Sequence, residues 1–178
     1  DCYDDFVKDY LSRTDDYDGP RGYVYGKEPY VFEGNTGSFA KEGHQAPVPY
    51  RMDQREWADA YFNSVIRPLE RQGVDFWWLD WQQWVDSKYM KGLNNTFWIN
   101  WAFFNDKVRQ SATLGKEADR PFIYHRWGGL GSHRYQLGFS GDTYDEWSTL
   151  EMLPSFTASA SNVGYGYWGH DIGGHFQK

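Results

Sequence analysis

Residues 74–83 read VDFWWLDWQQ, a run of large apolar side chains that stops at a carboxylate, Asp80. A strand buried on both faces is a nearly continuous apolar run, so this stretch predicts an interior β-strand that ends at Asp80. An acid at the carboxyl end of a barrel strand, set among the indole rings of Trp78 and Trp81, lies where such a barrel binds its substrate. The stretch therefore predicts a parallel α/β fold with a functional acid at one strand end.

Helices and strands alternate along the rest of the chain. Helical periodicity or apolar strand patterns predict helices over residues 1–13, 53–72, 96–110 and 145–158, and strands over residues 121–126, 135–140 and 163–168. This alternation is typical of βα units in a parallel sheet. About four such units fit, whereas a (β/α)8 TIM barrel takes roughly 250 residues. We interpret the chain as a partial segment of such a barrel, either its middle portion or one chain of a split molecule.

The chain divides into two predicted parts. We expect residues 1–50 to be an N-terminal helix plus a long turn-rich loop or barrel insertion, and residues 51–178 to be the central part of the catalytic barrel. Other segments of the same larger enzyme would then be its partners.

Local signals refine the predicted helices. Asp53 is the expected N-cap of the second helix, Pro68 is expected to kink its last turn, and Gly73 follows its end. In the fourth helix, four apolar side chains are expected to face the core: Trp147, Leu150, Leu153 and Phe156.

Composition excludes several partners. The net charge of −7 argues against nucleic acid and anionic membranes, and no apolar run approaches a membrane span. One cysteine, Cys2, excludes an internal disulfide. Aromatic residues make up 20% of the chain, with 10 Trp, which suits the flat apolar faces of sugar rings, although many of these rings will simply fill a core.

The predicted strands end in polar groups that should share one edge. These groups are Asp80, Arg126, Asp142 and the pair His170-Asp171. Because the strand ends of a parallel barrel meet on one face, we expect them to converge on one pocket. Two carboxylates across a pocket can cleave a glycosidic bond, and Arg126 is the best cation to keep Asp80 ionised. A helix N-cap is the structural alternative for Asp142.

Three segments carry a family resemblance. Trp78-Leu79-Asp80, the run RWGGLGSHRYQLGFSGD over residues 126–142, and GHDIGG over residues 169–174 resemble, in order, motifs of glycoside hydrolase family 31, the α-glucosidase and α-xylosidase family. The resemblance covers residues from about 50 to 175.

The resemblance implies a retaining α-glycosidase on a (β/α)8 barrel that needs no organic cofactor and no metal. Asp80 would be the nucleophile, Asp142 the general acid and then base, and Arg126 a ligand of a sugar hydroxyl. The remaining predicted substrate-binding residues are Trp78, Trp81, Trp127, Phe139, His170 and Asp171. The expected substrate is an oligosaccharide or glycoside, first an α-glucoside, then an α-xyloside or another α-hexoside.

The sequence also departs from the family pattern. Trp81-Gln82-Gln83 replaces the usual Met-Asn-Glu after the nucleophile, and Phe139 stands where tryptophan is frequent. Trp81 should narrow or reshape the reactive subsite, which puts simple glucose specificity in question.

Rival functions have weaker support. His170, Asp171 and His175 are metal-ligand types close in sequence, and Asp15–Gly19 suggests calcium but lacks the closing glutamate. Ser132 and His133 are adjacent, and adjacent side chains on an extended segment point apart. A glycan-binding module would use the aromatic rings, but it has no use for two acids and Arg126 at successive strand ends.

Overall fold

The computed structural model describes residues 2–13, 51–80, 86–87, 90–114, 120–126 and 129–177. The chain forms two compact units, Asp1–Val74 and Asp75–Lys178. The loop or insertion that we predicted over residues 14–50 lies outside the described residues, so the boundary at residue 50 stays a prediction.

The first unit is helical. Helix α1 spans Cys2–Arg13, α2 spans Arg55–Tyr61, and α3 spans Arg67–Arg71. Aromatic rings hold α1 to α2: the Phe6 ring meets Trp57 edge-on at 5.2 Å between centroids, and Trp57 stacks on Tyr61 at 5.0 Å. Phe6 and Trp57 are both buried, so these rings form the core of the unit.

A π-helical turn lies just before Pro68, and the kink that we predicted at this proline stays a prediction. Residues Phe62–Ile66 form this turn between α2 and α3, and the backbone N–H of Arg67 bonds to the carbonyl of Phe62, five residues back. Proline has no N–H to give to the helix, so a local change of hydrogen-bond spacing beside it is expected.

The predicted start of this helical stretch was wrong, and its predicted end was right. Gln54 is the N-cap rather than Asp53, and it makes no side-chain capping bond. At the other end Gly73 has φ +111°, a left-handed conformation that glycine adopts at no steric cost. Its N–H bonds to Glu70 and that of Val74 to Leu69, which is the Schellman arrangement of a helix C-terminus.

The second unit contains a four-stranded parallel sheet in the order β1-β2-β3-β4. The strands are β1, Trp77–Leu79; β2, Ile123–His125; β3, Leu137–Phe139; and β4, Tyr167–Gly169. Helix α4, Asn95–Leu114, lies between β1 and β2 in sequence; the 3-10 helix Ser132–Tyr135 lies between β2 and β3; and α5, Trp147–Asn162, lies between β3 and β4. Parallel strands with intervening helices confirm the predicted barrel segment.

None of the helices in the described part of the chain combines the length and apolarity needed to cross a membrane.

The two faces of the sheet have different surroundings. On one face the rings of Trp78, Tyr124 and Phe139 meet one another. On the other face Trp168 packs edge-on against Phe156 of α5, with 5.5 Å between ring centroids. Since side chains alternate between faces along a strand, we call these the ring face and the helix face.

The prediction that β1 is buried on both faces was wrong. Leu79, on the helix face, is buried, whereas Trp78 on the ring face is 41% exposed. Four strands cannot close the barrel that eight strands would close, so no layer among the described residues covers the ring face fully.

The predicted inward side of α5 was also wrong in part. Leu153 is buried, but Trp147 is 79% exposed and Leu150 is also exposed. The buried side chains of this helix are Leu153 and Ala160, seven residues or two turns apart, so one narrow stripe faces the core.

The helix face requires a glycine at position 138. A Cβ added to Gly138 would lie 2.9 Å from Cε1 of Tyr165 and 3.0 Å from Cζ3 of Trp168. Because position 138 of β3 has no side chain, these two rings pack directly on the backbone of the strand.

A buried histidine ties α4 to the sheet. His125 is fully buried, and Nδ2 of Asn100 lies 3.1 Å from its Nδ1. An amide nitrogen can only donate, so Nδ1 accepts and the ring is neutral. Burial is the main cause that lowers the pKa of His125 from 6.5 to about 4, partly offset by hydrogen bonding of the ring to the backbone of Arg126 and Ser132.

We expect His125 to make folding stability fall as the pH drops from about 6.5 to about 4. In this window the unfolded chain binds a proton at His125 and the folded protein does not, so acid favours unfolding. The shift corresponds to roughly 3 kcal/mol over the whole window. Denaturant unfolding at about pH 7 and about pH 5 measures the effect.

His125→Gln is the matched variant, because glutamine offers Asn100 an acceptor and does not titrate. Its free energy of unfolding should fall less steeply with acid than that of the wild-type protein. Because slopes are compared, a general loss of stability in the variant does not matter. Equal slopes would remove His125 from this pH dependence.

Candidate active site

One arginine joins two acids at the carboxyl ends of the strands. The guanidinium of Arg126, just after β2, bonds through Nε to Oδ1 of Asp80, just after β1. Its Nη1 donates to Oδ1 of Asp142, after β3, at 2.5 Å. The Arg126 side chain is 4% exposed, whereas those of Asp80 and Asp142 are 21% and 25% exposed. The buried cation therefore holds two partly accessible carboxylates from separate strands.

A left-handed turn places Asp142 beside this arginine. Gly141 has φ +87°, and a Cβ built on it would lie 3.8 Å from Nη1 of Arg126. The following helix, α5, has Glu146 as its N-cap. Asp142 therefore does not cap this helix, and one of its side-chain oxygens, Oδ1, accepts from Arg126 instead.

Strand alternation places the three rings of the ring face on the same side of the sheet as Asp80 and Arg126. The centroid of Trp78 is 4.2 Å from that of Tyr124 and 5.0 Å from that of Phe139. Trp78 is partly exposed and Phe139 is buried. Two of the three, Trp78 and Phe139, were predicted as substrate-binding residues.

Tyr124 was missed. Burial first, and then the negative charge of Asp171, raises the pKa of its phenol. Tyr124 stands two residues before Arg126, and strand alternation would have placed both on one face.

The loop after β4 packs on the loop that carries Asp142. The N–H groups of His175 and Phe176 both bond to the carbonyl of Thr143, at 2.7 and 3.0 Å, and the N–H of Asp145 bonds back to Phe176 at 3.0 Å. A Cβ on Gly174 would lie 2.5 Å from the backbone nitrogen of Asp145, so this contact needs a glycine.

This packing places Asp171 near Asp142. One possible ligand atom from each of Asp142, Asp171 and His175 lies within 4.8 Å of the others, and Nδ1 of His175 is 3.7 Å from Oδ2 of Asp171. Exposed acids often cluster in this way. A cation here would compete with Arg126 for Asp142, which is already bonded.

Other residues from the sequence analysis lie elsewhere. The ring nitrogens of His170 contact Thr157 and Ser140, so the structure does not group it with Asp171 and His175. Ser132 is fully buried and its Oγ accepts from the N–H of Gly129 at 3.1 Å, which leaves it unsuited to attack a substrate. Trp81 and Trp127 lie outside the described residues, and their predicted contacts with substrate stay predictions.

A parallel sheet with intervening helices, and with acids, an arginine and aromatic rings at the carboxyl ends of its strands, defines the class: this is part of a (β/α)8 enzyme barrel. The particular family follows from comparison with known proteins. The model of the glycosyl hydrolases family 31 TIM-barrel domain matches residues 21–178, and the chain belongs to this family. A search of curated proteins gave no match. The resemblance that we drew from three short motifs is confirmed.

Proposed function

We propose that this protein is a retaining α-glycoside hydrolase that removes terminal α-linked sugars, with α-glucosides as the first candidates and α-xylosides or other α-hexosides next. The observation that carries the proposal is the single guanidinium of Arg126 bonded to both Asp80 and Asp142. Glycoside hydrolysis requires two carboxyl groups at one glycosidic bond, and a separation of roughly 5 Å suits the retaining route.

The reaction would proceed in two displacements. Asp80 attacks the anomeric carbon, the glycosidic C–O bond breaks, and Asp142 gives its proton to the leaving oxygen. Asp142, now a carboxylate, takes a proton from water as that water attacks the same carbon and releases Asp80. Each displacement inverts the carbon, so the product keeps the α configuration.

The described residues support distinct roles around this chemistry. Arg126 donates a charge-assisted hydrogen bond to Asp80 and so orients the proposed nucleophile. Trp78 offers a partly exposed indole on which a sugar ring can stack. Asp171, beside Asp142, is placed to accept a hydrogen bond from a sugar hydroxyl.

A panel of 4-nitrophenyl α-glycosides tests the proposal. The full protein that carries this sequence is incubated with the α-glucoside, α-xyloside and α-galactoside, with the β-glucoside as the matched control. We expect nitrophenolate release from an α-anomer and none from the β-glucoside. Proton NMR in the first minutes should detect the α-anomer of the free sugar before mutarotation.

The other outcomes of this assay would indicate a different mechanism or a different function. A β-anomeric first product would overturn the retaining mechanism while keeping a hydrolase. Binding of α-glycosides without turnover would favour the alternative of a non-catalytic carbohydrate-binding protein. Absence of both would overturn the proposed function.

A further inference from the structure

His170 bridges two parts of the helix face. Its Nε2 lies 2.6 Å from the hydroxyl of Thr157 on α5, and its Nδ1 lies 2.9 Å from the hydroxyl of Ser140. In a neutral imidazole one nitrogen donates and the other accepts, and each hydroxyl can take either role. Both ring nitrogens are thus engaged with protein hydroxyls rather than turned to a sugar.

Strand alternation places His170 away from the ring face. Gly138 and Trp168 pack together on the helix face, and Ser140 and His170 each follow two residues later. The N–H of Ser140 bonds to the carbonyl of Gly169 at 3.2 Å, which extends the pairing of β3 with β4 past the strand ends.

Ser140 is the first residue of the turn that carries Asp142. Only Gly141, in its left-handed conformation, separates them, so the position of Ser140 sets the direction in which Asp142 leaves the strand. The contact from His170 fixes the Ser140 hydroxyl, while Thr157 fixes His170 to α5. The side chains of Thr157, His170 and Ser140 thus connect α5 to the turn that carries Asp142.

We propose that His170 is a positioning residue that acts through Ser140 to hold Asp142 against Arg126, rather than a residue that binds the sugar. This assignment rests on the proposed acid role of Asp142. Misplacement of a reacting group by about 1 Å can cost on the order of 100-fold in rate.

Two amide variants of His170 test its contacts with Ser140 and with Thr157 separately. An asparagine amide takes the position of a histidine Nδ1, so His170→Asn keeps a partner for Ser140. A glutamine amide takes the position of Nε2, so His170→Gln keeps a partner for Thr157 only. If positioning through Ser140 is the function, His170→Asn should retain catalysis and His170→Gln should lose it, as should His170→Ala.

The readout is the dependence on the leaving group. An aryl α-glycoside with a very acidic phenol needs no proton from the enzyme, whereas a methyl α-glycoside does. We expect His170→Gln and His170→Ala to lose on the order of 10- to 100-fold in kcat/KM on the methyl glycoside and little in kcat/KM on the activated one, because kcat/KM reports the first displacement, in which the leaving group departs. Equal losses on both substrates, or a loss in KM alone, would overturn positioning and indicate a sugar contact or a general fold defect.

Further variants keep the test decisive. Thr157→Val removes one hydroxyl and should lower the rate on the methyl glycoside relative to the activated one, by a smaller factor than the His170 variants. It keeps the proposal testable if the His170 variants do not fold. Ser159→Ala is the matched control, because that exposed hydroxyl on α5 bonds only to its own helix at Ser155; both rates should stay unchanged.

Failure of the proposed function is recognisable in the same assay. If Asp142→Ala itself shows no leaving-group dependence, the acid role fails and the positioning role falls with it. If Asp142→Ala shows the dependence and the His170 and Thr157 variants do not, His170 alone is misassigned.

Discussion

Replacing Asp80 with asparagine should abolish turnover while leaving the fold nearly intact. The amide has the shape of the carboxylate but cannot form the glycosyl ester, and loss of a nucleophile costs on the order of 10⁴-fold in kcat. The side chain is partly exposed, and Arg126 keeps its bond to Asp142. The loss should therefore lie in chemistry rather than in stability, as kcat on an activated aryl α-glycoside and thermal unfolding of the same sample would report.

Asp75→Asn is the matched control. Asp75 lies in the same stretch, its side chain is exposed, and it precedes β1 rather than following it. We expect wild-type activity from this variant. An Asp80→Asn protein that kept turnover within about tenfold of wild type would contradict the nucleophile assignment.

The sequence predicted which residues gather at the strand ends better than it predicted which way side chains face. Asp80, Arg126 and Asp142 each follow a strand, and parallel topology alone requires strand ends to share an edge. Their convergence on one guanidinium therefore follows from order along the chain. The exact turn geometry at Gly141 could not be read from the same pattern.

The face to which each strand side chain points could not be predicted from the sequence, because both faces of the sheet carry aromatic residues. In the stretch from Phe76 to Leu79 every residue is large and apolar, so period-two alternation leaves no trace in the sequence. His170 and Asp171 illustrate the consequence: both were predicted to bind substrate, yet neighbouring residues on an extended segment point to opposite faces. Only the contacts of His170 with Thr157 and Ser140 show which of the two meets the helix.

Replacing Asp142 with alanine should separate substrates by their leaving groups. On natural glycosides, whose leaving alcohols need a proton, the kcat/KM of the variant should fall on the order of 10²- to 10⁴-fold. An aryl glycoside with a very acidic phenol should still form the glycosyl enzyme, but its hydrolysis should slow because the base is missing. A fast burst of phenol followed by slow turnover is the expected kinetic trace.

A small anion provides the second arm of this test. Azide needs no base to attack, so it should restore turnover in the Asp142→Ala protein and yield an α-glycosyl azide, while leaving the wild-type rate unaffected. Glu151→Ala, which removes an exposed carboxylate from α5, is the control and should resemble wild type. Because Arg126 remains bonded to Asp80 in this variant, the nucleophile stays in place, and the two carboxylates can be assigned separately. Equal loss on activated and natural substrates, without azide rescue, would remove Asp142 from the acid and base roles.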